Sequence, residues 1–134
     1  MSGLRLIVAE DHEMVRRILV EMLSVDFEVV GSVGDGQKLV EAAILHRPDV
    51  IVSDIAMPLL DGFSARKELR RRGVEVPFVF LTLIDAKNLP LAVQEASIAY
   101  VHKTDLVDEL KLGVRAVALG KSYMSRAFRK GPTS

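Results

Sequence analysis

The chain contains no cysteine and no tryptophan. Without thiols it has no disulfide staples, no thiolate nucleophile and no cysteine-ligated zinc site. That absence is compatible with a reducing compartment such as the cytoplasm. No apolar run approaches the roughly 18 residues of a membrane-spanning helix, so no membrane partner is expected. The opening residues, MSGLRLIVAE, lack the long apolar core and small-residue cleavage site of a secretory leader and read as a first strand. No stretch is of low complexity, and a hydrophobic share of 49% excludes an intrinsically disordered chain. At 134 residues the chain is one domain's worth. A chain of that size buries about two-thirds of its unfolded surface without disulfides or a structural metal.

Acids are missing from one end. Residues 1–110 hold 12 basic and 18 acidic side chains, whereas residues 111–134 hold six basic ones and no acid. The formal net charge of zero is therefore an average of an acidic body and a basic end. Residues 121–134 finish in Gly-Pro-Thr-Ser and read as a basic linker or tail after a domain spanning residues 1–120.

What is present alternates. Short aliphatic runs at Leu4–Ala9, Phe27–Val33, Asp49–Ser53, Pro77–Thr82 and Ala99–His102 have strand length, most of them apolar on both faces. Between them lie helical periodicities. The first, from about His12 to Leu23, carries Val15, Ile18, Leu19, Met22 and Leu23 on one face. Others run from about Gln37 to Leu45, Phe63 to Arg71, Leu89 to Glu95 and Asp105 to Leu119. The last carries a stripe of Leu106, Leu110, Val114 and Val117. Five β-α units of this kind predict an α/β domain with a five-stranded parallel sheet and five helices.

In open parallel sheets ligands bind outside the carboxyl ends of the strands. Strand one delivers Glu10 and Asp11 there, strand three Asp54, strand four Thr82 and strand five Lys103. Singly, each has an ordinary reading: Asp11 as a helix N-cap, Asp54 as a turn former, Lys103 as a solvated surface cation. Their joint placement on one rim is the signal. Clustered carboxylates repel one another unless a cation sits among them, and an oxygen-only donor set points to Mg²⁺ or Mn²⁺. An ammonium and a hydroxyl suit phosphoryl oxygens, and carboxylates accept phosphoryl groups covalently. The set argues for phosphoryl transfer to a carboxylate, with Asp54, on the central strand, as the nucleophile.

At these residues the chain resembles the receiver domain of two-component response regulators. The motif is the pair Glu10-Asp11, then Asp54 followed by Met57, Pro58, Asp61 and Gly62, then Thr82, Tyr100 and Lys103. Gly31–Gly36, the run ending at Gly120 and Lys-Ser-Tyr-Met-Ser125 resemble the NarL/LuxR-type subfamily. The resemblance implies a flavodoxin-like (CheY-like) three-layer α/β/α sandwich of strand order 2-1-3-4-5. It implies phosphorylation of Asp54 by a sensor histidine kinase in the cytoplasm. It also implies Mg²⁺ held by Asp11, Asp54, the backbone carbonyl of Ala56 and, through water, Glu10. Lys103 and Thr82 would bind the phosphoryl group, and Tyr100 would follow Thr82 inward. The surface around the fourth helix, fifth strand and fifth helix would then change, with a homodimer on activation. Contact with DNA would come only through a helix-turn-helix output domain beyond these residues. The domain would catalyse its own phosphoryl transfer and dephosphorylation and turn over no separate substrate.

Some positions depart from the pattern. Thr104 stands where proline is frequent, Ala96-Ser97 where Gly-Ala is usual, and bulky Leu83 where a small residue follows the threonine. Leu83 is expected to narrow access to Asp54. Two other readings use the same residues. A phosphatase resembling the haloacid dehalogenases needs a second Asp where Ala56 stands, and a cap over the substrate. A non-phosphorylated interaction module would leave the complete acid set unused.

Overall fold

The computed structural model describes residues 3–84 and 95–129. The aliphatic runs form strands β1 (Arg5–Ala9), β2 (Glu28–Val33), β3 (Val50–Asp54), β4 (Phe78–Thr82) and β5 (Ile98–His102). The periodic segments form helices α1 (Glu13–Leu23), α2 (Gly36–His46), α3 (Gly62–Arg71) and α4 (Leu106–Ala118). A single 3-10 turn, Lys103–Asp105, joins β5 to α4, which is the helix expected from Asp105 to Leu119. The short helix expected over residues 89–95 lies, but for its last residue, outside the described residues.

The sheet is parallel throughout, in the order β2-β1-β3-β4-β5-β6. It has six strands where five were expected, because the segment read as a linker supplies β6 (Tyr123–Met124) and a one-turn helix, α5 (Arg126–Arg129). Tyr123 pairs with Ala99 and Met124 with Tyr100 along the edge of β5. A two-residue strand has no periodicity to read, and its flanking arginines and lysine look solvated. Phe128 supplies the packing: it is buried in the same core as Tyr100.

Strand residues alternate between two apolar layers, as the period of two requires. Leu6, Val8, Val52, Val79, Leu81, Ala99 and Val101 meet α1 and α4 through Leu19, Leu23, Leu110, Val114 and Val117. Ile7, Ala9, Ile51, Phe78, Phe80 and Tyr100 meet α2 and α3 through Leu39, Val40, Ala43, Ala65 and Leu69. This is the expected three-layer α/β/α sandwich. One stripe is narrower than its periodicity suggests: Ile18 on α1 is 57% exposed, because Leu19 and Leu23 already fill the seam. Among the described residues no helix is long and apolar enough to cross a membrane.

Candidate functional site

Parallel strands end on one rim, and the predicted site residues lie there. Asp54 closes β3, Thr82 closes β4, Glu10 follows β1 and Lys103 follows β5. Glu10 is 1% exposed and Asp54 6%, while Asp11 faces solvent. Carboxylate oxygens of Glu10, Asp11 and Asp54 lie within 4.8 Å of one another. The N-cap position of α1 is taken by His12, so Asp11 is not a capping residue.

Lys103 reaches over the end of β4 into this cluster. Its Nζ donates to Asp54 Oδ2 at 2.7 Å and to Glu10 Oε1 at 3.2 Å. The other oxygen of each carboxylate is held by backbone: the Ala56 N–H donates to Asp54 Oδ1 at 3.2 Å and the His12 N–H to Glu10 Oε2 at 3.0 Å. Burial pushes the Glu10 carboxyl above its ordinary range, and the neighbouring Asp54 adds to this against the pull of the His12 N–H and Lys103. Burial alone would lower the Lys103 ammonium, but its ion pairs with Asp54 and Glu10 outweigh it and raise it, so it stays charged at neutral pH.

The loop that follows Asp54 is held by close packing. The Ile55 N–H donates to the Leu81 carbonyl and the Gly62 N–H returns to the Ile55 carbonyl at 2.8 Å. A Cβ on Gly62 would stand 2.5 Å from the Asp54 carbonyl oxygen, and one on Gly36 would stand 1.9 Å from that of Leu60. Both positions therefore exclude side chains. Met57 packs partly buried on the core, Pro58 is exposed, and Asp61 caps α3 by accepting from the Ser64 N–H at 2.7 Å.

Thr82 is buried on the same rim, but its Oγ1 accepts from the Ile84 N–H at 2.9 Å. Tyr100 lies deeper on β5, buried against Phe80 and Phe63 with ring centroids 5.7 and 6.3 Å away. Leu83, expected to crowd Asp54, is 68% exposed. Sequence reasoning missed three supports of the site. Arg16 donates to the Glu10 carbonyl at 2.9 Å. Ser53 is fully buried and its hydroxyl donates to the Asp54 carbonyl at 2.8 Å. Asp105, just past Lys103, anchors the C-terminal segment.

The donor set fits a hard divalent cation: all oxygen, two buried carboxylates and one exposed, with no histidine or thiol among them. Fold and site together define an open parallel α/β domain with a cation-compatible carboxylate cluster and one fixed ammonium at its strand ends. Residues 6–115 match the model of the response regulator receiver domain, and the chain belongs to that family.

Its relatives agree. The Mycobacterium tuberculosis transcriptional regulatory protein PdtaR is 37% identical over 116 residues, covering 82% of this chain and 56% of that protein. The chain thus spans about half the length of that relative. A LuxR-family two-component response regulator from Aurantimonas shares the fold with a TM-score of 0.81 at 20% identity, covering 95% of this chain and 93% of that one. RcsB, in a structure of two dimers bound to two parallel DNAs, superposes with a TM-score of 0.78 at 21% identity, covering 95% of this chain and 66% of that one.

Proposed function

We propose that this receiver domain accepts a phosphoryl group on Asp54 from the phosphohistidine of a cytoplasmic sensor kinase. The observation that carries the reading is the Lys103 ammonium 2.7 Å from a buried Asp54 carboxylate that shares its rim with two more acids. An Asp54 oxygen attacks phosphorus, the P–O bond forms, and the P–N bond breaks with its electron pair leaving on the imidazole nitrogen. Lys103 offsets charge on the transferred oxygens. Asp11, Asp54, the Ala56 carbonyl and, through water, Glu10 would hold Mg²⁺, which would supply further neutralisation of phosphoryl charge. The domain acts on itself: the same pocket admits the water that later hydrolyses the acyl phosphate.

The product carries about −1.5 to −2 charge and three strong acceptors beside Thr82 and Lys103. The Thr82 hydroxyl, which accepts from the Ile84 N–H, donates its own proton to a phosphoryl oxygen, and Tyr100 moves toward the space released. Contacts made in only one state shift a two-state equilibrium. We read the output as control of a DNA-binding transcription regulator, through homodimers of the kind the RcsB structure describes for that protein. The receiver, expected over residues 1–120, would extend through β6 and α5, with the basic end leading on toward a helix-turn-helix domain.

Adding beryllofluoride with Mg²⁺ to the ¹⁵N-labelled chain tests this. Amide shifts should concentrate at residues 54–56, 82–84, 100 and 103. A spectrum unchanged there would show an inactive receiver.

A further inference from the structure

The basic end is bound by acids of the turn and helix that follow Lys103. Ser125 is fully buried. Its hydroxyl donates to Asp105 Oδ2 at 2.7 Å and accepts from the His102 N–H at 2.9 Å, while its own N–H donates to the Tyr100 carbonyl at 2.9 Å. Asp105 Oδ2 also accepts from the Ala127 N–H at 3.0 Å. One turn along, the buried carboxylate of Glu109 receives the Tyr123 hydroxyl at 2.6 Å, the Arg126 N–H at 2.8 Å and the Arg129 guanidinium at 3.0 Å. Phe128 fills the core beside Tyr100, 5.6 Å from the His102 ring.

Asp105 ends the three-residue turn that Lys103 begins. One end of that turn therefore grips Asp54 and Glu10, and the other grips Ser125 and Ala127. The two anchors stand only two residues apart in one turn, so a displacement of one is passed directly to the other. We propose that Asp105 and Ser125 are positioning residues for Lys103, so that docking of the Tyr123–Arg129 segment and occupation of the phosphoacceptor site are energetically coupled. The coupling has a fixed sign. A docked segment holds the ammonium where phosphoryl oxygens need it, so docking strengthens phosphoryl binding. By reciprocity, phosphoryl binding strengthens docking by the same factor. The state of Asp54 is thereby written into the order of the segment through which the chain leaves the sheet.

This inference rests on the phosphoacceptor reading, and the experiment separates the two. The full chain is titrated with beryllofluoride in Mg²⁺ by NMR, and amide exchange of Ser125 and Ala127 is followed with and without the mimic. Coupling predicts exchange slowed about fivefold or more at saturation, within the usual range of such couplings. It also predicts affinity weakened by the same factor in Asp105→Ala. Asp105→Asn, which keeps an acceptor for both donors, should recover most of the loss; a role in fold stability alone would leave the affinity equal in all three chains. Unchanged or faster exchange in the unsubstituted chain, or equal affinity in Asp105→Ala, overturns the coupling alone. No binding by the unsubstituted chain overturns the phosphoacceptor reading and the coupling with it.

Discussion

Lys103 Nζ and Asp54 Oδ2 meet at 2.7 Å across the end of the strand that separates them. The ion pair joins the last residue of β3 to the first residue after β5, positions 49 apart in sequence. It leaves the central carboxylate with one oxygen on an ammonium and the other on the Ala56 N–H. The acid cluster is thus partly neutralised from within, and Lys103 is already beside the atom proposed to be phosphorylated.

Replacing that ammonium exposes its contribution. In Lys103→Met, Glu10 and Asp54 face each other without a cation between them, and the Glu10 carboxyl should rise further above its ordinary range. Carboxyl ¹³C shifts followed against pH report this rise. Phosphorylation by a small donor should slow about 100-fold, the usual cost of removing one fixed charge-stabilising donor. An unchanged rate would show that Lys103 is a structural cation.

Acid should undock the C-terminal segment. Burial alone would raise the Glu109 carboxyl, but the Tyr123 hydroxyl, the Arg126 N–H and Arg129 outweigh it and hold it below its ordinary value. Asp105 is held low in the same way, against burial, by Ser125 and Ala127. A carboxyl lowered by folding contributes stability that is complete above its unfolded pKa, 4.5 for Glu109 and 3.8 for Asp105, and is lost as pH falls through the folded one. Docking should therefore hold at pH 6 and weaken progressively below about pH 4.5. Tyrosine fluorescence is a direct reporter, because Tyr123 is one of only two tyrosines and the chain has no tryptophan. Glu109→Gln should flatten that acid limb.

Phe128→Ala measures whether the segment belongs to the fold. Truncating a buried phenylalanine costs about 3 kcal/mol or more when it leaves a cavity. Urea denaturation should register a loss of that order. A solvated linker residue would register almost none.

Gly62→Ala and Gly36→Ala test the packing of the phosphoacceptor loop. Each new methyl group meets a backbone carbonyl, of Asp54 and of Leu60 respectively, which cannot move aside as a flexible side chain can. Each substitution should cost about 1–3 kcal/mol by denaturation. The Gly62 variant should also slow phosphorylation, because the displaced carbonyl is that of Asp54 itself.

Most of the fold was legible because β1 and β3 to β5 are buried on both faces and so stand out as apolar runs. The rim was legible for a related reason: parallel strands place their following residues together, so Glu10, Asp11, Asp54, Thr82 and Lys103 form a pattern even when each alone is ambiguous. The C-terminal segment offered neither signal. Tyr123–Met124 is too short for periodicity, and Arg126 and Arg129 carry the composition of a solvated tail. Glu109 lies outside the apolar stripe of Leu106, Leu110, Val114 and Val117, yet it is buried under Tyr123 and Arg129. Serine has no sequence signature of burial, so Ser125 became visible only through its contacts with Tyr100, His102, Asp105 and Phe128.

The central claim is that Asp54 is the phosphoacceptor. Intact-mass analysis of the full chain, incubated with a small phosphodonor and Mg²⁺ beside Asp54→Asn, tests it most directly. The account predicts a single hydroxylamine-sensitive phosphoryl adduct on the unsubstituted chain and none on Asp54→Asn. An adduct of the same stability on Asp54→Asn, or none on either chain, would contradict it.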